Sequence, residues 1–83
     1  MRFTLILGPV AEDDLAEAWL NAADPNAVTQ AAHRIEQLLR THADTVGEVV
    51  GSFYSLIDSP LEVLYKILPD GVSVRVYRFE LME

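Results

Sequence analysis

From Pro60 to Phe79 the chain alternates apolar and polar positions. Leu61, Val63, Tyr65 and Ile67 are interleaved with Glu62, Leu64, Lys66 and Leu68, and after a break Val72, Val74 and Val76 are interleaved with Ser73, Arg75 and Tyr77. A period of two built from β-branched and aromatic residues predicts half-buried antiparallel strands. Leu68-Pro69-Asp70-Gly71 between them fits a type I turn, with Pro presetting φ at the second position and Gly relieving crowding at the fourth. A four-residue turn there pairs Ile67 with Val72, Tyr65 with Val74 and Val63 with Val76, and all of these side chains then share one face. The opposite face carries Glu62, Leu64, Lys66, Ser73, Arg75 and Tyr77. That mixed face is where a function on this sheet is to be sought.

Upstream, Arg2 to Leu7 reads as a short strand, and Gly8-Pro9 ends it and opens a helix. From Pro9 to about Ala22, Ala11, Leu15, Ala18, Trp19 and Ala22 recur at helical spacing and predict an amphipathic helix with Trp19 in the core. Asp24-Pro25 is a cap followed by a first-turn proline. The second helix then runs to about Thr41, with Val28, Ala31, Ala32, Ile35, Leu38 and Leu39 on its apolar face. The short link between the two predicts an antiparallel helical hairpin. Thr41 to Gly51 reads as a loop and Ser52 to Ile57 as another strand, turning at Asp58-Ser59-Pro60. Pairing Leu56 with Leu61 and Tyr54 with Val63 buries Tyr54 and Leu56 and leaves Phe53, Ser55 and Ile57 on the mixed face. The expected architecture is α+β, ordered β-α-α-β-β-β, with the helical hairpin on one face of an antiparallel sheet and residues 1–83 forming a single domain.

Charge narrows the function classes. Six Lys and Arg residues face thirteen Asp and Glu, a net charge of −7, and the basic residues are scattered. Proteins that bind nucleic acid through its phosphates carry a basic stripe, so this balance argues against direct nucleic-acid binding and suits a basic partner better. The absence of cysteine removes disulfide and thiolate-metal chemistry. No apolar run is long enough for a membrane helix, and the N-terminal segment is too short for a signal peptide, so a cytoplasmic protein is expected.

Few residues offer chemistry. Glu12, Asp13 and Asp14 form an acidic run at a helix start, where the macrodipole favours anions, and they lack the interleaved glycine of a calcium loop. His33 and His42 lie nine residues apart, which does not align them as ligands on one helix face. Neither a metal nor a cofactor is expected, and no nucleophile or phosphate-loop motif is present. Lys66, Arg75 and Tyr77 form the one cationic and aromatic cluster on the mixed face. They are either weak candidates for proton transfer and phosphate stabilisation or cross-strand neighbours that keep the sheet soluble. Phe53, Ile57 and Leu64 make that face too apolar to stand idle in water, so a partner chain or a second protomer is expected to cover it, with Lys66, Arg75 and Tyr77 at the edge.

Taken together, these motifs resemble the RelE/ParE superfamily of toxins from bacterial type II toxin–antitoxin systems. The resemblance is carried by Pro9-Val10-Ala11 with Asp14-Leu15, by Ala31, Arg34-Ile35 and Leu38-Leu39, by Val46-Gly47-Glu48, and by Pro60-Leu61-Glu62-Val63 with Tyr65-Lys66-Ile67, Val74 and Val76. It implies the RelE/ParE-like fold and an antitoxin as partner. The basic residues of the family's ribonucleases fall on Phe53, Ser55, Glu62 and the neighbourhood of Met82, none of which is basic, and the chain ends at Glu83 without the family's basic tail. The resemblance therefore implies the ParE-like branch, which binds a protein target such as DNA gyrase and is not an RNA-cutting enzyme. The alternatives are an RNA endonuclease with its site relocated around Lys66, Arg75 and Tyr77, and a non-toxic protein-interaction domain; where no antitoxin exists, a symmetric homodimer is the expected cover for the same patch.

Overall fold

A computed structural model describes residues 2–82. Its elements are β1 (Thr4–Leu7), α1 (Pro9–Asn21), α2 (Pro25–Val46), β2 (Glu48–Val50), β3 (Phe53–Asp58), β4 (Leu61–Ile67) and β5 (Ser73–Leu81). Gly8 caps α1 in an extended conformation and Pro9 takes the first helical turn, where its missing N–H loses nothing. Asp24 caps α2 by accepting from the Asn26 amide at 3.1 Å. The α2 stripe buries Val28, Ala31, Ala32, Ile35, Leu39 and Ala43 against the sheet. Leu61, Val63, Tyr65, Val74, Val76 and Phe79 from the sheet join them in the core, with Ala11 and Ala18 from α1 and Phe3 beside β1. No helix among the described residues is long and apolar enough to cross a membrane.

The expected α+β class, with two helices on one face of a sheet, is the observed one, and the structure corrects its details. The sheet is mixed: the strand order is β1-β5-β4-β3-β2, and β1 runs parallel to β5 while the other pairs are antiparallel. Two helices lie between β1 and the hairpins, a crossover long enough to return the chain for parallel pairing. The segment expected as a loop from Thr41 is helix as far as Val46, kinked at His42 (φ −137°, ψ 28°), and it is followed by the short edge strand β2. Trp19, expected in the core, is 48% exposed. The hairpin between β4 and β5 turns where expected, with the Gly71 amide donating to the Leu68 carbonyl at 2.9 Å and Gly71 at φ +75°. Asp70 then captures the amides of Val72 and Ser73 and the Ser73 hydroxyl. Those bonds lengthen the loop, so Ile67 pairs with Val74 and Tyr65 with Val76, and Val72 is left exposed. The β3–β4 hairpin is shifted likewise, pairing Leu56 with Val63 and Tyr54 with Tyr65. A shift of two residues preserves the faces, and so Tyr65, Val74 and Val76 are buried as the alternation predicts.

Tyr65 ties the sheet to the end of α2. Its hydroxyl donates to the Ala43 carbonyl at 2.7 Å, and its ring stacks on Tyr54 with centroids 5.3 Å apart. Burial pushes its phenol up to about 12, with Tyr54 and Asp44 adding to the shift and the Gly47 backbone opposing it. A raised pKa means that the neutral form supports the fold. Its contribution is complete below the ordinary phenol pKa near 10 and is lost as pH rises through about 12. An ultraviolet absorbance titration should show a tyrosine ionising near 12 that is missing in Tyr65→Phe. A wild-type titration complete by pH 11 would contradict this burial.

Candidate functional site on the open sheet face

The open face of the sheet is built in rows, because directly paired residues point to the same side. One row runs from Ile6 on β1 through Arg75 on β5 to Lys66 on β4. Lys66 places its Nζ 4.6 Å from the ring centre of Phe53 and 5.7 Å from that of Tyr77. The Arg75 guanidinium lies 5.4 Å from the Tyr77 ring, and Phe53 and Tyr77 meet edge to face at 5.3 Å. Two cations are thus held over two aromatic faces, contacts worth about 0.5–1 kcal/mol each at exposed sites.

Tyr77 owes its place to an irregularity. Leu64 pairs with Arg78 and Tyr65 with Val76, so Tyr77 is an extra residue on β5, a β-bulge. Bulges re-aim side chains and are common beside functional sites. The bulge is also why Phe79 is buried three residues after Val76, an odd spacing in a strand. It is pinned from the helical layer: Asp14 accepts from Arg78 Nε at 2.7 Å, from Arg78 Nη2 at 3.2 Å and from the Phe79 amide at 3.1 Å. The acidic run at the start of α1 therefore supplies a strand clamp. Among the described residues no group of three or more His, Cys, Asp or Glu is placed to hold a metal ion.

Phe53, Leu64, Arg75 and Tyr77 line a groove of about 410 Å³ whose other wall is Gly8, Pro9 and Val10. The mixed face thus brings Phe53, Leu64, Lys66, Arg75 and Tyr77 together. Ile57 stands apart, paired with Glu62, which in turn pairs with Glu80. Glu62 does not neutralise the cations, as its place on the same strand suggests it would. It lies four residues from Lys66, about 13 Å along a strand and beyond the Debye length of about 8 Å, and it accepts from the Ser55 hydroxyl at 2.6 Å. Among the described residues the ion pairs are Arg34–Asp58 and Arg78–Asp14, so Lys66 and Arg75 have no carboxylate partner there. Sequence reasoning missed the Gly8–Val10 wall and the bulge. The spacing from Val76 to Phe79 was the available signal for the bulge.

No family model matches the sequence, and no curated protein does. Solved structures do match in shape. The toxin–antitoxin complex RelBE2 from Mycobacterium tuberculosis contains a chain that superposes with a TM-score of 0.80 at 16% identity, over 98% of this chain and 99% of that one. A chain of the chromosomal ParDE system from P. aeruginosa gives 0.68 at 17% identity, over 99% and 98%. A free mutant of the E. coli toxin RelE gives 0.62 at 18% identity, over 100% and 86%.

Proposed function

We propose, for a chain with the fold of the RelE and ParE toxins, that it is the toxin-type component of a cytoplasmic type II toxin–antitoxin pair and that it acts by binding a protein. The observation that carries this reading is the hydrogen-bonded pair Ser55–Glu62. It stands where the resemblance puts the basic residues of a ribonuclease. A phosphodiester transition state gathers negative charge and needs fixed donors or cations beside it, each worth about 3–4 kcal/mol. A carboxylate there, on a chain of net charge −7, opposes that chemistry. The groove between Phe53, Leu64, Tyr77 and the Gly8–Val10 turn offers an apolar centre with Arg75 at its edge, the composition of a protein interface.

A second reading rests on a different observation. Lys66 and Arg75 are paired across the strands and held against Phe53 and Tyr77, an arrangement that also suits a stacked base and its phosphate. Two assays on the purified chain separate the readings: inhibition of DNA gyrase supercoiling, and RNA cleavage with and without ribosomes. The expected result is a stable protein complex, with gyrase or another target, and no RNA cleavage. Cleavage that disappears in a folded Arg75→Ala variant would replace the first reading with the second. Leu64→Asp is expected to weaken binding to the antitoxin partner of this reading by about thirtyfold, the factor for losing a hot-spot contact, with an unchanged circular dichroism spectrum. Calorimetry showing equal binding by both proteins would remove the groove from the interface.

A further inference from the structure

The open sheet face carries charge of both signs, in separate rows. Lys66 is paired with Arg75, and Glu62 with Glu80, so each row sets like charges directly opposite each other, which is unfavourable in an isolated sheet. None of the four joins an ion pair among the described residues. Lys66 and Glu62 stand about 13 Å apart along β4, with Leu64 midway between them. Phe53, in contact with Lys66, and Ile57, paired with Glu62, hold the same two rows on β3, with Ser55 midway beside Leu64. On β5 the step from Arg75 to Glu80 is one residue longer, and the bulge at Tyr77 absorbs that residue and keeps the rows in line. In the middle row Arg78 is already neutralised by Asp14. The face is therefore cationic at one end, acidic at the other and apolar between.

We infer that this face receives a second copy of the chain, sheet against sheet, about a two-fold axis running across the strands along the Leu64 row. Such an axis keeps each strand over its counterpart and reverses the direction along it. Lys66 then lies over the partner's Glu62, Arg75 over the partner's Glu80 and Phe53 over the partner's Ile57, while Leu64 meets its own copy. Every like-charge pair of one protomer is answered by the opposite pair of the other. Sheets packed face to face lie about 10 Å apart with strands within about 30° of alignment, close enough for these side chains to meet. Charge selects this occupant. An acidic segment would suit Lys66 and Arg75 but oppose Glu62 and Glu80, and a basic segment would do the reverse. A second copy carries both signs at the required separation by symmetry. Its net charge of −7 repels at long range, but that repulsion is screened beyond about 8 Å at physiological ionic strength, and the cross-pairs lie within it. The inference rests on the reading of this face as a protein-binding surface and names what covers it in the free chain.

Sedimentation equilibrium of the full chain tests this, with circular dichroism as the folding control. The wild type should dimerise at micromolar concentration, the weak end for an interface of ordinary size. Lys66→Glu and Glu62→Lys, each alone, should weaken the dimer at least about tenfold, because each sets like charges face to face twice in the symmetric contact. An equimolar mixture of the two variants should recover a heterodimer of near wild-type affinity, since every position 66 then meets a position 62 of opposite sign. Lys66→Glu mixed with Glu80→Lys should not recover it, because this axis brings residue 66 to residue 62 and not to residue 80. If Glu62→Lys fails to fold for want of the Ser55 hydrogen bond, Arg75→Glu mixed with Glu80→Lys carries the same test. A wild type that stays monomeric at about 1 mM, far above the expected range, would overturn the inference. So would a dimer indifferent to both reversals, or one that Glu80→Lys rescues as well as Glu62→Lys does. A monomeric chain that still forms its complex with a target or antitoxin would leave the protein-binding reading intact, so the two fail separately.

Discussion

Gly47→Ala is expected to destabilise the fold by about 2–4 kcal/mol, the sum of overpacking and a lost buried hydrogen bond. For a domain of this size that lowers the unfolding midpoint by about 10–25 °C. Gly47 has ordinary extended backbone angles, φ −92° and ψ 154°, so its requirement is for space and not for conformational freedom. A Cβ built there collides with Tyr65 Oη and lies 3.0 Å from Tyr65 Cζ and 3.2 Å from Tyr54 Cβ. The chain cannot yield easily, because the Tyr65 hydroxyl is held by Ala43 and the ring is stacked on Tyr54. Moving the ring breaks that bond and leaves a buried carbonyl without its donor. The control is the same substitution in Tyr65→Phe, where the colliding oxygen is gone and the added cost of Gly47→Ala should fall by at least about 1 kcal/mol through coupling of neighbouring sites. Calorimetric midpoints for the four proteins test this. Equal costs in both backgrounds would mean that Tyr65 is not what Gly47 makes room for.

The other large effect is expected at Asp14. Asp14→Ala should cost about 2–3 kcal/mol, because it strips the partner from the half-buried Phe79 amide, a loss of about 1–3 kcal/mol, and adds the loss of a charge-assisted pair. Arg78→Ala should cost under about 1 kcal/mol, since its guanidinium is mostly exposed and such pairs contribute little. Asp14→Asn retains an acceptor for the Phe79 amide and should fall between them. Denaturant unfolding of the three variants gives the order. If Arg78→Ala proves as costly as Asp14→Ala, the ion pair and not the amide would be the source of the stability. Amide exchange at Phe79 should also quicken in Asp14→Ala, and with it the bulge that presents Tyr77 to the open face should loosen.

The alternation of Leu61, Val63, Tyr65, Val74 and Val76 was enough to assign each its buried face, because side-chain direction in a strand is a local property with a period of two. It survived a misplaced register, since both hairpins slipped by two residues and a slip of two returns every side chain to the same side. The helices were legible for the same reason, and the stripe through Leu39, Ala43 and Val46 shows that α2 could have been followed past Thr41. The cluster of Lys66, Arg75 and Tyr77 was visible as residues sharing a face. Which residues flank them was not. Hairpin register depended on Asp70 capturing the Val72 and Ser73 amides. The parallel pairing of β1 with β5 depended on where two helices return the chain. Trp19 was placed in the core by a periodicity that cannot tell a stripe covered by the sheet from one that stops at the edge of a groove. Local pattern fixes the direction in which a side chain leaves the backbone, and that much the sequence determined alone. Neighbours come from contacts between distant segments, such as Asp14 with Phe79, 65 positions apart. Only the tertiary structure could therefore decide that Glu62 is held by Ser55, far from the cations, and that Lys66 and Arg75 stand without a carboxylate partner among the described residues.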